Sequence, residues 1–373
     1  LGLRYIDTEV TSVGNNIENG QATGLREETS SYDYFLPRFS LAAEVIDDLV
    51  LRGGIAKDIR RPDFDNLSTS INFPGGAGSA VQVGNPGLTP EEVISYDISA
   101  EYYFSNSSFV SVGFFHKKRT DIFAAVRDNP EEPIGENGQI ERDITDPCEG
   151  GGIWNPTVTD RNVWSSVPGT GICVPLQTTI NLPNEETQTG VEIAFQHDLS
   201  AYEDTLGWAS GFGLIANYTY QESGSNIDTF RPATGDGNAL NNLLGRTDTD
   251  QSTSTLSDDI VEERIELEDL SKNAYNITLF YDKYDLSIRA RYTWRSSFKT
   301  GNLISFDMPR IVDDRAQLNM SVSYDINDSM SVGLEGINLL REDRTQWCVN
   351  EGALLCEQGL TDRRIILGVT ANF

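Results

Sequence analysis

Apolar and polar residues alternate with a period of two through much of the chain, most plainly near its C-terminus. In Arg363-Arg364-Ile365-Ile366-Leu367-Gly368-Val369-Thr370-Ala371-Asn372-Phe373, one face carries Ile365, Leu367, Val369, Ala371 and Phe373. The other carries Arg364, Thr370 and Asn372, with Gly368 between them, which makes a strand greasy on one side and wet on the other. The same rhythm predicts strands near residues 1–10, 34–45, 49–58, 93–104, 108–119, 190–198, 207–221, 272–281, 286–294, 315–324 and 331–340. With the terminal segment these make about twelve. In residues 286–295 the apolar face is Leu286, Ile288, Ala290, Tyr292 and Trp294, opposed by Ser287, Arg289, Arg291, Thr293 and Arg295. In residues 315–325 it is Leu318, Met320, Val322 and Tyr324, opposed by Gln317, Asn319, Ser321, Ser323 and Asp325.

The connections alternate as well. Short turns fall at Asp47-Asp48, Ser105-Asn106-Ser107, Asp282-Lys283-Tyr284-Asp285 and Asp325-Ile326-Asn327-Asp328, with a modest turn before residue 207. Between them run long polar loops of about 65 and about 50 residues, a Gly-, Pro- and Asn-rich loop to about residue 92, and a polar stretch through Asn15, Asn16, Gly20 and Gly24. A soluble sandwich gives no reason to place every short turn at one end. An outer-membrane barrel does, because its short turns lie in the periplasm and its long loops outside. The expected fold class is therefore all-β, an antiparallel transmembrane β-barrel. Counting back from Phe373 at the periplasmic rim puts the short turns on the periplasmic side, with polar faces toward the lumen. Tyr102, Phe104, Tyr218, Tyr220, Tyr281, Tyr324 and Trp294 fall near strand ends, where an aromatic girdle belongs.

Composition narrows the picture. The chain has 373 residues, with 57 acidic and 28 basic side chains and a net charge of −29. That excludes nucleic acid as a partner, since phosphates call for clustered Lys and Arg. Hydrophobic residues at 38% leave enough apolar surface for an ordered fold. No run approaches the ~18 apolar residues of a membrane helix, a test to which transmembrane strands are invisible. The cysteines form two local pairs in predicted loops, Cys148 with Cys173 and Cys348 with Cys356, which suits disulfides in an oxidising compartment. Their spacing is not zinc-like, and His116 and His197 are the only histidines, so no metal or cofactor is expected. There is no Gly-x-Ser-x-Gly elbow or His-Glu-x-x-His, and the chain is not expected to be an enzyme.

Several segments, in order, resemble the C-terminal half of a TonB-dependent outer-membrane receptor. They are Gly2-Leu3-Arg4-Tyr5-Ile6-Asp7-Thr8, Leu36-Pro37-Arg38-Phe39-Ser40 leading into Asp47-Asp48-Leu49-Val50-Leu51-Arg52, and Arg61-Pro62-Asp63-Phe64. Gly84-Asn85-Pro86-Gly87-Leu88-Thr89-Pro90-Glu91, Gly190-Val191-Glu192 and Leu334-Glu335-Gly336-Ile337-Asn338-Leu339 follow. The resemblance implies about twelve strands of a barrel of about twenty-two. Residues 1–373 would then be the C-terminal part of a single barrel domain. The sequence enters on Leu1 already alternating, with no plug, TonB box or other TonB-contacting segment before it. The implied function is active uptake of a nutrient across the Gram-negative outer membrane, energised by the TonB complex through a plug that is not in this sequence. Lipid and lipopolysaccharide would surround the wall, and the ligand would be a siderophore or a carbohydrate, with an oligosaccharide favoured.

Candidate contact residues follow from the faces and loops. Arg289, Arg291 and Arg295 form a lumenal row able either to guide an anionic or hydroxyl-rich solute or to bind a plug carboxylate. Asp97, Glu101 and Glu192 share the lumenal phase and are expected to pair with such arginines. Trp154 and Trp164 lie in the loop that Cys148 and Cys173 would staple, and Trp347 abuts Cys348; all three suit stacking on a sugar or packing of the loops. The acidic run of residues 258–269 is a solvated loop more than a calcium site, for it lacks glycine-punctuated spacing. Two other readings share parts of the pattern, a stand-alone passive barrel of twelve strands and a soluble β-sandwich adhesin.

Overall fold

In the computed structural model, twelve long strands follow one another in sequence. They are β1 (Gly2–Glu18), β2 (Gln21–Ile46), β3 (Leu49–Arg60), β4 (Glu91–Ser105), β5 (Ser108–Asp128) and β6 (Leu176–Asp198), then β7 (Phe212–Ser225), β8 (Asn273–Lys283), β9 (Leu286–Arg295), β10 (Arg315–Asn327), β11 (Met330–Ile337) and β12 (Arg364–Ala371). Their hydrogen-bonding order is the order of the chain, from β1 to β12. The structure describes residues 1–18, 21–72, 81–128, 148, 153–155, 172–174, 176–225, 269–304, 308–348, 351–352 and 354–371. Phe373, Trp164 and the acidic run up to residue 268 lie outside them, as do the side chains of Trp154 and Cys173.

The apolar faces point out. In β12, Ile365, Leu367 and Val369 are 66%, 72% and 65% exposed, although they are the residues a soluble sheet would bury. Leu3, Phe35, Leu41, Ile98, Leu279 and Leu334 on other strands are exposed in the same way. Among the described residues buried apolar side chains are few, and include Ile6, Leu36, Leu88, Ile122 and Tyr281. Hydrocarbon, not a protein core, is the environment that this arrangement suits. No described helix is long and apolar enough to cross a membrane.

The chain divides into two units, residues 1–38, 56–94 and 119–185, and residues 39–55, 95–118 and 186–373. In the first, β1 and β2 pair from Gly2↔Arg38 to Glu18↔Gln21. The stretch around Asn15, expected to be a loop, is therefore strand. With 26 residues, β2 far exceeds the 9–11 or so that hydrocarbon requires. Beyond the lipid both faces are wet and the alternation that marks a strand vanishes, which is why the extension was not legible. For the same reason β5 continues to Asp128 and β6 begins at Leu176, shortening the long loop from both sides. Glu91, 1% exposed, anchors this unit. It meets Arg60 at 3.3 Å and Arg119 at 3.6 Å, and accepts the backbone N–H of Phe123 at 2.9 Å.

In the second unit the turns do what their residues allow. The β2–β3 turn puts Asp48 at φ 66°, and the β8–β9 turn tightens to Tyr284 and Asp285, at φ 56° and 61°. Two positive φ values fit the primed turns that match strand twist. The β6–β7 connection is longer than expected, because residues 207–211 form a 3₁₀ turn and the strand starts at Phe212. Lys283 holds that connection through Glu203 Oε1 at 2.7 Å, the Gly207 carbonyl at 2.9 Å and Ser210 Oγ at 2.6 Å. After β11 the chain leaves the sheet at Ile337, three residues before the expected end, and Asn338 takes φ 52°.

The last two loops are not irregular. Phe298–Ile304, Met308–Val312, Arg344–Cys348 and Leu354–Gly359 form a four-stranded sheet in that order. A disulfide joins Cys348 to Cys356 inside its last hairpin, with the Cα atoms 5.7 Å apart. Cys148 is also disulfide-bonded, as its expected pairing requires, but the side chain of Cys173 lies outside the described residues.

Two substitutions test this packing. A Cβ on Gly190 would lie 2.5 Å from Phe115 Cζ and 2.6 Å from the Tyr220 carbonyl oxygen, whereas one on Gly368 meets nothing within 4 Å. Gly190→Ala is expected to cost about 1–3 kcal/mol and Gly368→Ala close to nothing, read as urea midpoints of detergent-folded protein. Replacing Cys348 and Cys356 by Ser removes a short cross-link worth about 2–3 kcal/mol to its loop. Proteolysis should then cut between residues 344 and 359 while the long strands stay protected.

Candidate solute-binding site

Charged side chains on the polar faces of the second unit fall into two kinds, those already neutralised and those not. Glu101 is of the first kind. It takes two hydrogen bonds from Arg52, at 2.9 and 3.3 Å, and one from the Tyr103 hydroxyl at 2.8 Å. Glu101 thus pairs with an arginine, but the partner is Arg52 and not a member of the row Arg289, Arg291 and Arg295 that it was expected to meet.

The row Arg289, Arg291 and Arg295 does not act as one group. Its ends are six residues of strand apart, so Arg289 and Arg295 are about 20 Å from each other along β9. Arg289 pairs with Asp282 at 3.1 Å across its own hairpin, with Phe280 beneath it. Among the described residues Arg291 hydrogen-bonds to a neutral group: Asn276 Oδ1 accepts its Nη2 at 3.4 Å, and Asn276 in turn donates to Asn217. Arg295, at the end of β9, stacks over Phe298 at 4.3 Å and sits directly opposite Arg315 of β10. Arg344, the first residue of its loop strand, joins them around a cavity of about 230 Å³. Sequence reasoning missed Arg315 and Arg344. The long loops hide the register that sets Arg315 against Arg295, and Arg344 lies in a stretch with no alternation to give it a face.

Trp347 lies between Ile311 and Leu355 in the loop sheet and is half-buried, so it packs that sheet. Outside the strands, Asp362 is held below the usual carboxylate range, first by the backbone N–H of Arg363 and then by the Arg341 charge. Its pair with Arg341, at 3.0 Å, pins the loop that leads into β12. At the opposite end of the strands, Ser108 Oγ and His197 Nδ1 are 2.8 Å apart. Ser108 is 1% exposed and the imidazole lies against Phe104, so this contact ties β5 to β6 and presents no nucleophile to solvent.

Among solved structures, the chain is similar to a mutant of the ferric enterobactin receptor PfeA of Pseudomonas aeruginosa, with 15% identity, a TM-score of 0.52, and 94% of this chain covering 42% of that one. It is similar to the ferric-catecholate import receptor Fiu of E. coli K12, with 12% identity, a TM-score of 0.57, and all of this chain covering 41% of that one. The siderophore receptor PirA of Acinetobacter baumannii gives 15%, 0.55, and all of this chain against 45%. This chain thus spans less than half the length of these structures, and at such identities the likeness shows the fold. No curated protein matches it. The family model described as TonB dependent receptor-like, beta-barrel, matches residues 1–339, and with that match over most of its length the chain belongs to the TonB-dependent receptor β-barrel family.

Proposed function

We propose that this chain forms part of the wall and outer vestibule of a Gram-negative outer-membrane receptor for TonB-dependent nutrient uptake. The observation that carries the reading is the pairing of the family match with strands whose greasy faces are exposed and whose polar faces bear charge. Lipid and lipopolysaccharide would surround the apolar faces. The solute would be caught among the outer loops and pass inward when the TonB complex pulls on a plug. In this role the wall is a receptor surface and does no chemistry on its cargo.

The cargo we propose is a ferric siderophore. The similar structures are named as enterobactin, ferric-catecholate and siderophore receptors, and the outer end of β9 and β10 carries guanidinium groups that suit oxygen-rich anions. The oligosaccharide expectation drew on Trp154, Trp164 and Trp347. The last of these packs the loop sheet, and the other two side chains lie outside the described residues.

The test is uptake by cells that express the full receptor. Radioactive iron supplied as a catecholate siderophore complex should accumulate in cells with intact TonB and not in a TonB deletion. Accumulation that survives the deletion would mean a passive pore. Growth on oligosaccharides without any iron uptake would restore the carbohydrate reading.

A further inference from the structure

The three guanidiniums at the outer end of β9 and β10 lack what arginines in such a crowd need. Arg295 and Arg315 are direct cross-strand partners on the polar face, an arrangement that like charges destabilise. Arg344 brings a third positive charge; both neighbours act electrostatically against the charge on Arg295, and only Asp269, beyond ion-pair distance, acts in its favour. No carboxylate lies within ion-pair distance of any of the three among the described residues.

Three aspartates line the same cavity, but each turns to another donor. Asp314 accepts the Trp294 indole N–H at 3.0 Å, Asp343 the backbone N–H of Thr361 at 2.7 Å, and Asp313 the backbone N–H of Asp314 at 3.1 Å. Arg315 Nε is buried with no acceptor among the described residues. A buried charged donor left unpaired is costly, and far more so beside two further cations. The surroundings are also fixed: the Asp313 N–H donates to the Thr345 carbonyl at 3.0 Å, which fastens the Arg344 strand beside β10, and Phe298 lies under Arg295. Three arginines and three aspartates thus line one cavity without forming an ion pair there, and the guanidiniums are the groups left short of an acceptor.

We propose that Arg295, Arg315 and Arg344 form a binding site for an oxyanion, a cluster of carboxylate or phosphate oxygens held by guanidinium forks. Planar forks grip such groups in bidentate fashion and gain charge-assisted strength, which a neutral sugar hydroxyl cannot match. The site deepens the receptor reading, on which it rests, by giving the captured solute a negative charge at a defined place. Arg289 is not part of it, since Asp282 already neutralises that side chain.

The test is calorimetric titration of the purified full-length receptor in detergent with citrate and, separately, with inorganic pyrophosphate. Saturable binding of at least one anion is expected, weakened about tenfold or more in Arg315→Gln and in the double variant Arg295→Gln, Arg344→Gln, and unchanged in Arg289→Gln. Citrate binding alone would assign a carboxylate group to the cargo, and pyrophosphate binding alone a phosphate. Arg315→Lys keeps the charge but loses the fork, and should also weaken binding should Arg315→Gln fail to fold. No saturable binding of either anion, or binding undiminished in folded Arg315 variants, would overturn the site. Because TonB plays no part in the titration, anion binding without TonB-dependent uptake would sink the transport reading alone, and the reverse result would sink the site alone.

Discussion

A backbone that crosses hydrocarbon must satisfy every N–H and C=O within the protein, because lipid offers neither donor nor acceptor. Strand-to-strand pairing is how this chain meets that demand, and its other features follow. Since consecutive strands pair, each needs only a turn or a loop to reach the next. Side chains then divide by face, and the outward face has to be greasy. The exposed Ile365, Leu367 and Val369 of β12 would be an aggregation hazard in water and are the expected surface in lipid. The scarcity of buried apolar side chains is the same fact seen from the other side: little of the stability here comes from a protein core.

That division explains what could be read from the sequence. Where lipid lies on one face and water on the other, alternation is strict, and all twelve strands were legible together with their sequential order. Where the strands rise out of the lipid, both faces meet water and the signal stops although the ladder continues. Residues 11–18 and 21–33 continue the ladder of residues 2–10, with one register shift between Asn16 and Ile17, yet they read as a polar loop. The four-stranded loop sheet was illegible for a related reason. Its pairing joins segments from two different loops, such as Ile311 with Trp347, and no local pattern announces a partner more than thirty residues away. The site suffered in the same way. Arg295 was found because β9 alternates, whereas Arg315 and Arg344 came to it through register and loop pairing.

Charge on the polar face obeys a second constraint. A polar wall flanked by lipid cannot spread an excess charge outward, so each cation needs a local answer. Arg52 finds it in Glu101, and Arg289 in Asp282. In the first unit, buried Glu91 works in the opposite sense, one carboxylate serving both Arg60 and Arg119. Truncating it would remove a carboxylate that both arginines share.

Against this background the trio of Arg295, Arg315 and Arg344 is distinguished less by its charge than by where its neighbouring carboxylates point. Were stability the only demand, a small rotation of Asp313 or Asp343 toward a guanidinium would serve the sheet better than hydrogen bonds to backbone N–H groups. Those carboxylates instead hold turns at the ends of β10 and of the loop sheet, and so the rigid placement of the arginines depends on their being spent elsewhere. Rigidity and unmet charge thus have one source. A site that is ordered before its ligand arrives loses little entropy on binding, and one whose arginines are ion-paired to no described carboxylate has no pair to break. These are the two conditions under which an oxyanion from outside binds more favourably than a side chain the fold could have supplied.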